Sequence, residues 1–88
     1  MKIQKHPQFI KHFEKRVGNN PKLVEKYKKR LKLFVEDSKN PQLKDHQLSG
    51  EKKKYRSFWI TGDIRVIYYP ISSDVTLFTD IGSHNQVY

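Results

Sequence analysis

Residues 55–69 read Tyr55-Arg56-Ser57-Phe58-Trp59-Ile60-Thr61-Gly62-Asp63-Ile64-Arg65-Val66-Ile67-Tyr68-Tyr69. Aromatic and β-branched side chains fill both halves of the stretch, and they favour a pleated strand. Between them, Gly62-Asp63 suits a tight hairpin turn, because glycine accepts positive φ at little cost. The stretch therefore predicts strands over 55–60 and 64–69. The second is almost continuously apolar, as befits a central strand with both faces covered. Arg65 alone interrupts it. Downstream, Pro70-Ile71-Ser72-Ser73-Asp74 reads as a loop and 75–81 as a third strand. Gly82 ends that strand and leaves 83–88 as a short tail.

Upstream the periodicity changes from two to 3.6. Residues 1–5 suit a short edge strand with Ile3 as its core contact. Pro7 fits the first turn of a helix, where its missing N–H is not needed. Phe9, Ile10, Phe13 and Val17 then recur at helical spacing. Gly18-Asn19 ends this helix, and Asn20-Pro21 starts the next as N-cap and first helical residue. The second helix has an apolar face of Leu23, Val24, Tyr27, Leu31, Phe34 and Val35, and Ser38-Lys39-Asn40-Pro41 stops it. Residues 42–54 are polar and read as a long loop. The order of strand, helix hairpin and three strands predicts a single α+β domain over 1–88. In it the two-helix hairpin packs on one face of an antiparallel sheet, and the other face is concave and open.

Composition narrows the function. Eighteen Lys and Arg against nine Asp and Glu give a net charge of +9. Residues 1–56 carry +11 and residues 57–88 carry −2. That asymmetry points to a polyanionic partner, nucleic acid before anionic membrane. No cysteine is present, so a disulfide framework is excluded and a structural zinc site is unexpected. The N-terminus has no apolar signal core, and no apolar run reaches membrane-spanning length. A cytoplasmic protein without a membrane partner is expected. Glycine-rich phosphate loops, nucleophile elbows and dinucleotide fingerprints are missing, so no cofactor is expected.

The histidines differ in setting. His6 and His12 lie at or within the first helix beside lysines and read as surface residues. His46 stands in the polar loop and His84 just after the last strand. Two imidazoles are enough for acid–base chemistry near neutral pH, since a free imidazole titrates at roughly 6.5. RNA supplies its own nucleophile, the 2′-hydroxyl. The protein need only provide a base, a cation for the phosphate and an acid for the 5′-oxygen. Arg56 and Arg65 offer planar donor forks that suit phosphate. Arg65 could instead pair with Asp63 or Asp80. Tyr88 can anchor a tail, stack on a base or join a proton relay. Trp59, Phe58, Tyr68 and Tyr69 read as core residues.

Several of these residues stand in a telling order: Leu43-Lys44-Asp45-His46-Gln47-Leu48-Ser49-Gly50, then Tyr55-Arg56, Asp63 to Tyr69, and Gly82-Ser83-His84-Asn85-Gln86-Val87-Tyr88. Behind the helix pair, this set resembles the RelE/ParE toxin superfamily, and within it the YafQ-like messenger-RNA interferases. The likeness covers essentially the whole chain. Its most specific parts are the Asp-His-x-Leu-x-Gly loop and the Gly-x-His-x-x-x-aromatic ending. The resemblance implies a RelE-like, microbial-ribonuclease-like fold. It also implies a type II toxin that cuts messenger RNA in the ribosomal A site and is neutralised by a co-encoded antitoxin. By position, His46 and His84 match catalytic histidines, Asp63 an acidic residue, Tyr88 a terminal aromatic and Arg65 a phosphate-stabilising arginine. Arg56 lies close to a further basic residue. Trp59 stands near the place of another histidine of the YafQ branch, so which of His46 and His84 is the base stays open.

The charge distribution adds two expectations. Lys22, Lys26, Lys29 and Lys32, with Lys52, Lys53, Lys54 and Arg56, are expected to meet ribosomal RNA phosphates. An acidic, partly apolar antitoxin segment is expected to wrap the chain. A ParE-like gyrase inhibitor would share the fold but has no evident use for paired histidines, and a non-catalytic RNA-binding module is supported by the charge alone.

Overall fold

The computed structural model describes residues 1–88. Strand β1 (Lys2–Lys5) leads into helix α1 (Pro7–Arg16), and helix α2 (Pro21–Glu36) follows. Both helices start as proline-led helices do. The His6 Nδ1 accepts from the Gln8 N–H at 3.0 Å, and the Asn20 side chain accepts from the N–H groups of Lys22 and Leu23. These bonds satisfy donors that the first helical turn leaves free. His6 is thus a cap rather than an idle surface residue.

Strands β2 (His46–Gln47), β3 (Arg56–Trp59), β4 (Ile64–Pro70) and β5 (Val75–Ser83) complete one sheet, in the order β1-β5-β4-β3-β2. The hairpin across Gly62-Asp63 is present, with Phe58 opposite Val66 and Trp59 opposite Arg65. The sheet is mixed rather than wholly antiparallel, because β1 runs parallel to β5. No hairpin ties β1 to β5, so local sequence could not fix their relative direction. Beyond the end of β1, α1 covers the free edge of β5. His6 N–H, Gln8 Nε2 and Arg16 Nη1 donate to the carbonyls of Phe78, Thr79 and Ile81. An edge strand is thereby satisfied by a helix instead of another strand.

The core lies between the helix hairpin and the sheet. Phe9, Tyr27, Phe34, Phe58, Tyr68 and Phe78 are buried there, with Phe34 stacked on Phe58 at 4.5 Å. Ile10 and Val35, expected in the apolar stripes, are instead 47% and 44% exposed. Each sits at the margin of its helix's apolar arc, where helical spacing does not decide burial. Tyr69 is likewise exposed and packs edge-on against Tyr55. The expected tail folds as well: β5 runs on to Ser83, and helix α3 (His84–Val87) follows. Val87 and Leu48 close over Ile67 in a second small cluster, so the face away from the helices is partly roofed. No helix is long and apolar enough to cross a membrane.

Candidate active site

Alternate residues of a strand face opposite sides of the sheet. Phe58, Val66 and Tyr68 point into the core, so Ser57, Trp59, Arg65 and Ile67 belong to the other face. His46 pairs with Ser57, and Ser57 with Ile67, which makes one cross-strand row. Directly opposed side chains in such a row lie about 5 Å apart.

Three local features deliver His46 to that row. The fully buried Leu43 pins the turn at 41–43, and the Asn40 side chain caps it by accepting from the Gln42 N–H. Lys44 then takes a left-handed conformation, φ 52°. The Lys44 carbonyl lies 2.9 Å from His46 Nδ1. A carbonyl only accepts, so Nδ1 carries the proton in this bond and Nε2 of the neutral ring keeps its lone pair.

From the other side, α3 brings His84 and Tyr88. Gln86 Oε1 accepts from the Ser83 N–H, and the Tyr88 N–H donates to the His84 carbonyl. One turn of helix therefore places the two rings edge to face, 4.5 Å apart. The Tyr88 hydroxyl donates to Ser57 Oγ at 2.6 Å. His46, Gln47, Leu48, Ser49, Lys52, His84 and Tyr88 together line a cavity of about 380 Å³. Lys52 reaches in from its turn and donates to the Val87 carbonyl at 3.3 Å.

Arg65 pairs with neither Asp63 nor Asp80. Its guanidinium lies 4.3 Å above the Trp59 ring, and Nη2 donates to the Gly62 carbonyl. Nε and Nη1 are buried without a partner. Arg65 is two residues along β4 from the His46–Ser57–Ile67 row, a rise of roughly 7 Å. Trp59 is therefore a platform for this cation rather than a core residue. Asp63 is exposed in the hairpin turn, next to Ile64, which pairs with Ser83 at the start of α3. Asp80 is held by His12 at 2.6 Å and by Arg16. His12 is thus a partly buried hydrogen-bond partner of Asp80, which its lysine-rich surroundings did not reveal.

Arg56 is not brought to this face. It lies opposite Tyr68 on the helix side, where its Nε and Nη2 both lie 2.7 Å from Asp45 Oδ1. Burial works against its charge, but the bond to Asp45 and the charge of that carboxylate carry its pKa above the ordinary value. The Tyr68 hydroxyl donates to Asp45 Oδ2, and burial followed by Asp45 pushes the phenol pKa up. Arg56 is therefore paired with Asp45 on the helix side and is not gathered with the histidines. Lys22, Lys26, Lys29 and Lys32 are exposed on α2, and Lys53 and Lys54 on the loop. Lys52 lines the pocket beside the histidines instead of a distant basic face.

Sequence reasoning missed Ser57, which is fully buried and joins His46 to Tyr88. Its signal was present: one small polar residue in an aromatic strand. No group of three or more His, Cys, Asp or Glu is placed to hold a metal ion.

Residues 1–88, the whole chain, match the family model described as "Bacterial toxin of type II toxin-antitoxin system, YafQ". The fold is similar to that of YafQ from E. coli, with a TM-score of 0.82 and 21% identity over 99% of this chain and 97% of that one. It is also similar to a chain of the E. coli DinJ–YafQ complex, with a TM-score of 0.80 and 22% identity over 99% and 97% of the two chains. A metal-bound toxin from Helicobacter pylori is 27% identical, with a TM-score of 0.74 and coverage of 100% and 99%. No curated protein sequence matches the chain.

Proposed function

The chain belongs to the YafQ family of bacterial type II toxin–antitoxin toxins, and we propose that it is an endoribonuclease that cuts messenger RNA in the ribosomal A site. The observation that carries this reading is the gathering of His46, His84, Lys52 and Tyr88 around one cavity, from a loop and a helix far apart in sequence. Such a set supplies what 2′-hydroxyl attack requires and needs no covalent intermediate on the enzyme.

In this reading, Nε2 of His46 takes the proton of the 2′-hydroxyl, because its Nδ1 is committed to the Lys44 carbonyl. The 2′-oxygen attacks the adjacent phosphorus, and a 2′,3′-cyclic phosphate forms as the bond to the 5′-oxygen breaks. His84, packed against Tyr88, gives the 5′-oxygen its proton. Lys52, which lines the cavity, holds the charge that builds on the phosphate, and Arg65 adds its positive charge from two residues along β4. The lysines of α2 with Lys53 and Lys54 meet ribosomal RNA, and an acidic antitoxin covers the basic surface until it is removed. Two similar structures are complexes of DinJ with YafQ, which supports such a partner.

Primer extension on a message translated by purified ribosomes tests the reading. New 5′ ends within codons, absent with His84→Ala, are expected. Intact message in the presence of folded wild-type protein would overturn it.

A further inference from the structure

Successive residues of β3 look to opposite sides of the sheet, and each side is tied to the loop that carries His46. On one side Ser57 pairs with His46 and receives the Tyr88 hydroxyl. On the other, Arg56 and Tyr68 hold the side chain of Asp45, the residue just before His46. The Asp45 side chain is 7% exposed. A carboxylate that is nearly buried must keep its partners, because an unpaired charge in that position is strongly disfavoured. Its site is therefore over-determined: two guanidinium nitrogens on Oδ1 and a phenol hydroxyl on Oδ2.

The preceding residue is the one that needs such support. Lys44 adopts φ 52°, a conformation that residues with a Cβ rarely take. It persists only when its neighbours fix it. Those neighbours are Leu43, fully buried on one side, and the clamped Asp45 on the other. The left-handed turn is also what aims the Lys44 carbonyl at His46 Nδ1.

We propose that Asp45 is the positioning residue of His46: clamped through the sheet by Arg56 and Tyr68, it holds the Lys44 turn whose carbonyl selects the Nδ1–H tautomer. Asp45 itself faces away from the cavity and touches no substrate. The proposal deepens the reading of His46 as a base and rests on it for its kinetic consequence. Its structural consequence can be read without RNA.

The test uses the full chain with Asp45→Ala and Arg56→Gln, the second at a more exposed member of the clamp. The ¹⁵N shifts of the neutral His46 ring report the tautomer. Wild-type protein should show Nδ1–H, and both variants should move toward Nε2–H while His84 keeps its shifts. Cleavage on ribosomes should fall in kcat by about 10²-fold for Asp45→Ala, as for a misplaced reacting group. KM and the salt dependence of ribosome binding should not change. A merely structural ion pair would lower the melting temperature and leave the tautomer alone. A folded variant with the wild-type His46 signature overturns the proposal, and if Asp45→Ala does not fold, Arg56→Gln decides. A changed salt slope in Arg56→Gln would return that side chain to the RNA and also count against the clamp. Should wild-type protein cut no message, the ribonuclease reading fails, while the ring shifts still decide whether Asp45 positions His46.

Discussion

Replacing His46 by asparagine separates its two nitrogens. The amide nitrogen of asparagine falls near the place of Nδ1 and can still donate to the Lys44 carbonyl, now 2.9 Å from the ring. Nothing replaces Nε2. His46 is exposed and has that one side-chain bond. The change should therefore alter unfolding free energy by no more than about 0.5 kcal/mol, as for other surface substitutions.

The rate should respond very differently. Loss of a general base costs about 10²- to 10⁴-fold, or roughly 2.7–5.4 kcal/mol of barrier. Single-turnover cleavage of a ribosome-bound message measures the first quantity, and thermal unfolding of the free protein the second. His46→Ala should lose as much rate as His46→Asn, because the bond to Lys44 sets the ring rather than doing chemistry. Cleavage by His46→Asn within about 3-fold of wild type would be far too small a loss for a base, and would remove His46 from that role. An asparagine variant much more active than the alanine one would show that the donor side of the ring matters and that the tautomer argument has its polarity reversed.

Three other substitutions probe separate parts of the molecule. Changing Lys22, Lys26, Lys29 and Lys32 to glutamine should flatten the dependence of ribosome affinity on salt by about 0.7–0.9 in log–log slope per lost phosphate contact, leaving cleavage at saturating ribosome intact; an unchanged slope would make them only a solvated face. Arg65→Lys keeps the charge but not the planar guanidinium over Trp59 with its two unpartnered nitrogens, so kcat should fall by about 10-fold or more, and full activity would mean that a point charge suffices. Tyr27 is buried with its hydroxyl unpaired, and burial pushes its pKa up to about 12. Above pH of about 10 the unfolded chain loses this proton first, so stability should fall as pH rises, by at most about 1.4 kcal/mol per unit until pH nears the folded value. Tyr27→Phe should soften that fall and stabilise the protein at neutral pH by about 1 kcal/mol, and an unaltered alkaline melting curve would show the phenol hydrated.

The fold was legible where the sequence repeats a physical constraint. Two proline-led helices and an arginine in an apolar strand each restrict their own neighbourhood and are present as read; the hairpin is present too, but Gly62 does not take the positive φ expected of it, and Thr61 Oγ1 holds the turn instead. What escaped notice depends on contacts between distant residues. The direction of β1 is set by β5, some 70 residues on, and the edge of β5 is satisfied by side chains of α1. His12 became a hydrogen-bond partner of Asp80 only because α1 lies against that residue. The candidate site shows the same division. His46 and His84 were recognisable as titratable groups outside any apolar stripe, yet neither carries a sign of what it faces. Their inequivalence comes from their surroundings: one ring meets a carbonyl presented by a left-handed lysine, and the other packs edge to face on a tyrosine one turn away. Arg56 and Arg65 are the sharpest case, since both are strand arginines among aromatics and differ only in the parity of their positions. Parity sends Arg56 to the helix side and a buried carboxylate. It sends Arg65 to the other face, with two guanidinium nitrogens unpartnered. Register across Trp59 and Arg65 therefore decides which arginine is structural and which can serve an anion. A one-residue slip of β3 against β4 would exchange the faces of the slipped strand, and with them the division between clamp and phosphate site.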